Sequence, residues 1–130
     1  NNIVRDVNVL ADLGIGAVAI MPNDTASHPS DSFGNMKFFA AEHNFTFPYI
    51  IDESQAVARA YDAVCTPDFF GFDASGGLQY RGRLDESRLD PVPGARRELF
   101  EAMKMVADGG IGPKEQFPSL GCSIKWRVAA

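Results

Sequence analysis

Ile3, Val4, Val7, Leu10 and Leu13 recur at helical spacing, and Gly14 follows as a stop. Residues Ile15 to Met21, "IGAVAIM", form an unbroken apolar run closed by Pro22. At that length the run predicts a strand buried on both faces, the habit of parallel sheets. A polar, proline-marked loop, "PNDTASHPSD", comes next. Ser30 is placed to cap a second helix with Phe33, Met36, Phe39 and Ala40 on one face, ending near Asn44. "FTFPYIID" predicts a short strand, and Pro48 within it points to a sheet edge. Asp52 with Gln55 three residues on resembles a capping box for a helix carrying Val57, Ala58 and Tyr61.

The second half of the chain changes period. Asp68 to Phe72 predicts another buried strand, Gly76 and Gly77 turn the chain, and "LQYRGRL" alternates. Leu78, Tyr80 and Leu84 face one way and Gln79, Arg81 and Arg83 the other, as in a half-exposed strand paired antiparallel with its predecessor. Residues 85–94 form a polar loop. Ala95 to Asp108 predicts an amphipathic helix through Leu99, Ala102, Met103 and Val106, stopped by Gly109 and Gly110. The tail "PSLGCSIKWRVAA" has no clear period. Alternating helices and strands, then a hairpin and a final helix, predict an α/β fold: a mixed sheet with helices on both faces. Neither an internal repeat nor a dividing linker interrupts residues 1–130, so a single domain is expected.

Composition narrows the function. The 130 residues are 45% hydrophobic and 22% charged, enough to bury a core. A net charge of −5 argues against nucleic acid, whose phosphates require clustered Lys and Arg. No apolar run is long enough for a bilayer, so no membrane partner is expected. "NNIVRDVNVL" lacks the basic flank and apolar centre of a signal peptide. The chain opens without Met, inside a helical pattern, which suggests a fragment or a processed product. A cytoplasmic location is the expectation, although such a start does not determine it. The two cysteines, Cys65 and Cys122, are too few for a disulfide scaffold and form no C-x-x-C pair. With only His28 and His43 beside them, the spacing of metal ligands is missing, and neither metal nor cofactor is expected.

"YDAVCTPDFFGFD", Tyr61 to Asp73, sets a thiol two residues before a proline at the mouth of a strand. In the wider stretch "FTFPYIIDESQAVARAYDAVCTPDFFGFDASGGLQYRGRLD" the chain resembles the thioredoxin-like fold, and within it the redoxins of the alkyl hydroperoxide reductase/thiol-specific antioxidant (AhpC/TSA) family. The matching features are the "FPYIID" strand, a helix ending in Ala-Tyr, the Thr66-Pro67 motif and a strand leading to a glycine turn. The tail "PSLGCSIKW" is similar to the end of a bacterial thioredoxin-like subgroup.

This resemblance implies that Pro67 is cis and that the backbone of Thr66 is presented to an extended substrate. The bland alternative is a trans proline that merely begins a strand. In the family the nucleophilic Cys stands at the start of the first major helix, where the helix dipole favours thiolate. Residues 1–13 correspond to the second half of that helix. The expectation is therefore a fold lacking its N-terminal strand and the start of its first helix. No residue here matches the nucleophile.

Cys65 is the candidate catalytic substitute, able to resolve a sulfenic acid or mixed disulfide; an inert buried thiol is the competing reading. Cys122 is a candidate secondary thiol that either approaches Cys65 or stands free in the tail. Arg81 and Arg83 either steer an anionic partner or belong to a solvated strand face. His28 lies in a loop, and His43 near a helix end. Capping accounts for Asp52 beside Glu53. Phe33, Phe38, Phe39, Phe45, Phe47, Phe69, Phe70 and Phe72 are expected in the core, and Trp126 is expected to anchor the tail.

Two functions follow. One is a redoxin-type thiol-disulfide oxidoreductase or peroxiredoxin-like protein, inactive as this chain alone, acting on a thiol or disulfide protein or a peroxide. The other is a non-catalytic binding module that uses the Thr66-Pro67 edge. In the resembled fold a strand lies between "IGAVAIM" and "DFFGF". Its absence predicts that these two strands pair directly or that a second copy covers them as a homodimer. The tail around Cys122 is a further candidate filler.

Overall fold

The computed structural model describes residues 2–87 and 92–128. Helix α1 (Asn2–Asp12) leads to strand β1 (Ala19–Met21), helix α2 (Phe33–Glu42), strand β2 (Tyr49–Ile51) and the short helix α3 (Ala56–Ala60). Strands β3 (Phe69–Phe72) and β4 (Leu78–Gly82) and helix α4 (Glu98–Gly109) follow. β1 and β2 are parallel, with Ile20 opposite Ile50. β3 and β4 are antiparallel, with Phe69 opposite Gly82 and a register shift between Gly71 and Phe72. No strand joins one pair to the other among the described residues.

The core lies between α1, α4 and the β3–β4 hairpin. Leu10, Tyr80, Leu99, Ala102, Met103 and Val106 form it, with Ile15, Phe69, Leu84 and Phe100 packed around them. Each large apolar side chain buried there contributes roughly 1.5–3 kcal/mol. The α4 residues repeat at i, i+3, i+4 and i+7, so a single helical stripe seals the sheet. Gly71 is the strand residue that lets α4 approach. A Cβ at that point would overlap the Met103 sulfur and sit 3.1 Å from its Cε. Tyr80 brings a polar group into this cluster, and its hydroxyl donates to the Arg83 carbonyl at 2.6 Å.

Several sequence expectations need correction. β1 covers only the end of the Ile15–Met21 run, and Val18 and Ile20 are exposed rather than buried on both faces. β1 and β3 do not pair directly. In the parallel ladder Ala19 and Met21 turn their backbone groups to β2, which leaves those of Ile20 on the opposite edge. Ser32, not Ser30, caps α2 by accepting from the Asn35 N–H at 3.2 Å, after a 3-10 turn over Pro29–Asp31. The last helix begins at Glu98 because residues 92–97 are spent on a turn that brings Arg97 to its N-terminus. Asp52 and Gln55 form no capping box. Asp52 accepts from the Ala58 N–H at 2.9 Å, while the Gln55 side chain leaves the helix for the tail. None of the eight phenylalanines expected in the core is fully buried. α2, which carries three of them, buries only Met36, so Phe39 packs instead against Phe45 and Tyr49 at the surface.

Candidate functional site

The loop from Tyr61 to Asp68 carries Cys65, Thr66 and Pro67 to the start of β3, and the Thr66–Pro67 peptide bond is cis. Asp68 anchors the loop by accepting from the Val64 N–H at 3.2 Å. Arg81 of β4 reaches over it, pairing with Asp68 at 3.6 Å, donating to the Asp62 carbonyl and lying on the Phe70 ring. Arg83 is engaged in the same way, with Nε donating to Glu98 at 3.0 Å. Both arginines therefore have structural partners in Asp68, the Asp62 carbonyl and Glu98.

Cys65 is buried, and its Sγ lies 3.5 Å from the Pro67 carbonyl. Burial pushes the thiol up from its ordinary range, with the Asp68 carboxylate adding to the effect and Arg81 opposing it. A thiol held protonated in this way is a poor nucleophile at neutral pH. Cys122 is exposed, and the two thiols form no disulfide. No group of three His, Cys, Asp or Glu among the described residues is placed to hold a metal ion. No described helix is long and apolar enough to cross a membrane.

The tail decides the surroundings of Thr66. Its N–H donates to the Cys122 carbonyl at 2.8 Å, and the Cys122 N–H returns a bond to the Thr66 carbonyl at 3.0 Å. This is one antiparallel bridge. The tail then runs on to the loop after β1. There the Asp24 N–H donates to the Lys125 carbonyl, and the Lys125 N–H donates to Asn23 Oδ1. Gln55 fastens this end: Nε2 donates to the carbonyls of Pro22 (2.8 Å) and Lys125 (2.9 Å), and Oε1 accepts from the Arg127 N–H (3.0 Å). Trp126 does anchor the tail, with the Arg59 guanidinium 4.4 Å from the ring centre. The tail thus ties the β3 end of one sheet to the β1 end of the other without becoming a strand between them.

Cys65, Thr66, Pro67 and Cys122 are brought together; His28 and His43 lie elsewhere. His28 packs against Ser27, and His43 closes α2 against the Phe39 ring. Sequence reasoning placed Gln55 only in a capping box, missing its bonds to the tail, and gave Gly121 no role. The signal for Gly121 was a glycine directly before the tail cysteine, at a point where two backbones touch.

A family model described as Redoxin matches residues 2–99. A crystal structure of an uncharacterized conserved protein from Geobacillus kaustophilus is 44% identical, with a TM-score of 0.91, and the match covers 98% of this chain and 68% of that one. A second, of a hypothetical protein from Sinorhizobium meliloti 1021, is 35% identical, with a TM-score of 0.89, covering 98% of this chain and 70% of that one. A comparison with curated proteins found no match. The parallel and antiparallel strand pairs and these matches agree: the chain is a thioredoxin-like α/β protein and belongs to the redoxin family.

Proposed function

We propose that residues 1–130 act as a single redoxin unit of a thiol-disulfide oxidoreductase or peroxiredoxin-like antioxidant protein, and that these residues do not themselves carry the principal nucleophile. Family membership points to thiol-dependent redox chemistry. The observation that carries the finer reading is the state of the two thiols. Cys65 is buried with its thiol pushed up, and Cys122 lies in an irregular tail, so neither has a helix N-terminus to favour thiolate. In such chemistry a thiolate attacks a disulfide sulfur or a peroxide oxygen, and the leaving thiolate or hydroxide takes a proton. The Thr66-Pro67 loop would hold a thiol or disulfide protein beside that reaction. The pure chain is expected to show negligible turnover in insulin-reduction and peroxide-consumption assays. Turnover that disappears in Cys65→Ser would overturn the assignment and make Cys65 the nucleophile.

The Thr66–Cys122 bridge favours a second reading: a non-catalytic module that binds extended segments at Thr66. A homodimer fits the exposed Ile20–Ile50 pair and the edge of β1 that no strand among the described residues pairs. Sedimentation equilibrium tests that point: a dimer is expected, and a monomer across the micromolar range rules it out.

A further inference from the structure

We propose that the tail is the resident occupant of the Thr66 strip, and that the partner which replaces it is an extended peptide with glycine directly before the residue that pairs with Thr66. This deepens, and rests on, the reading of that strip as a docking edge. Thr66 has one backbone N–H and one carbonyl to offer, and Cys122 takes both. An outside segment therefore reaches Thr66 only by displacing the tail.

Gly121 sets the selectivity. A Cβ at this position would overlap the Thr66 carbonyl oxygen and lie 2.8 Å from its carbon and 3.2 Å from the Pro67 nitrogen. Those atoms are backbone and cannot rotate aside, so any larger residue lifts the strand off the strip. A competitor in the same antiparallel register meets the same wall.

Fastening along the tail is uneven. On one side the Arg83 N–H donates to the Phe117 carbonyl at 2.9 Å, and Ser119 donates to the Gly82 carbonyl. On the other, Ile124 is buried and Gln55 holds Lys125 and Arg127. Between these anchors Leu120 to Ser123 are exposed, held by the backbone pairing with Thr66, by the Thr66 hydroxyl donating to the Cys122 carbonyl at 3.4 Å and by Lys125 Nζ donating to Ser123 Oγ at 2.7 Å. The cover is weakest directly over the strip and tethered at both ends. It can lift and reseat without the tail being released, and the tether keeps its effective concentration high.

The test uses the full chain, Gly121→Ala and Cys122→Pro, which removes the N–H that bonds to Thr66. Amide exchange is read at Thr66 and across α4. Binding, measured by fluorescence anisotropy under reducing conditions, uses a labelled peptide of the chain's own residues 118–126 and a copy with alanine in place of the glycine. Thr66 should exchange at least about tenfold faster in both variants with α4 unchanged, and both should capture the glycine peptide at least about tenfold more tightly than the unaltered chain. Equal exchange at Thr66 in all three chains overturns the resident tail and leaves the docking edge standing. A freed Thr66 that captures no peptide overturns the docking edge itself. Equal capture of the glycine and alanine peptides overturns the glycine requirement.

Discussion

Arg97, at the start of α4, donates through Nε to Asp6 of α1 at 2.9 Å, joining residues 91 positions apart. Asp6 is fully buried, and Arg5 pairs with the same oxygen at 2.8 Å. The pair fixes how α1 lies on α4, and so how Leu10 meets Leu99 and Val106 in the core.

Breaking a buried pair from one side costs about 3–5 kcal/mol. Arg5 and Arg97 both retain access to water, so Asp6→Ala is expected at the low end, about 3 kcal/mol. Urea denaturation measures the loss. A change well under about 1 kcal/mol would show that α1 is held by apolar contact alone.

Tyr80→Phe removes the hydroxyl that satisfies the Arg83 carbonyl beneath α4. Destabilisation of about 1–2 kcal/mol is expected, with the fold unchanged by circular dichroism. Tyr80 also titrates late, its phenol pushed up to about 12 first by burial and then by Glu98. An absorbance titration of the native chain should therefore show one tyrosine ionising well after the ordinary phenol range.

The two thiols should separate cleanly in alkylation. Iodoacetamide at pH 8 is expected to label exposed Cys122 at least about tenfold faster than Cys65, read by peptide mass spectrometry. Because the folded Cys65 thiol sits above its ordinary 9.0, its contribution to stability is whole below pH 9.0 and drains away as pH rises further. Equal labelling rates would mean that Cys65 is open to solvent.

Asp73 gives the opposite sign. Its carboxylate accepts from the Ser75 hydroxyl (2.7 Å), the Gly77 N–H (2.8 Å) and the Gln79 amide (3.0 Å), which hold it down to about 2 from 3.8. Its support of the β3–β4 turn is present above pH 3.8 and is lost as pH falls through about 2. The protection factor at Gly77, with the intrinsic pH dependence of amide exchange divided out, should fall over that interval. In Asp73→Ala the acid-dependent change should be absent.

Elements whose partners lie close in sequence were legible. The hairpin showed through Gly76-Gly77 and the alternation of "LQYRG", and α4 through its apolar stripe. The Thr66-Pro67 loop was legible because a short motif carries it. Burial was harder, because it depends on which surface arrives opposite: Phe38 is as apolar as any residue in the chain, yet it is 76% exposed on α2 while Met36 of the same helix is buried. The tail was least legible. The groups it offers to Thr66, Asp24, Arg83, Asn23 and Gln55 are its own backbone N–H and carbonyl groups, which impose no period on the side chains.

The bond from the Lys125 N–H to Asn23 spans 102 positions. During synthesis, contacts of this kind close only after the intervening chain has left the ribosome, at roughly 5–20 residues per second. α1, the hairpin and α4 can assemble by the time residue 110 has emerged, with Gln55 still lacking its bonds to Lys125 and Arg127 and Thr66 still unpaired. For the following seconds a nascent chain would display the bare Thr66 strip that the finished molecule keeps covered, so a chaperone or a neighbouring nascent chain meets that strip before the tail does.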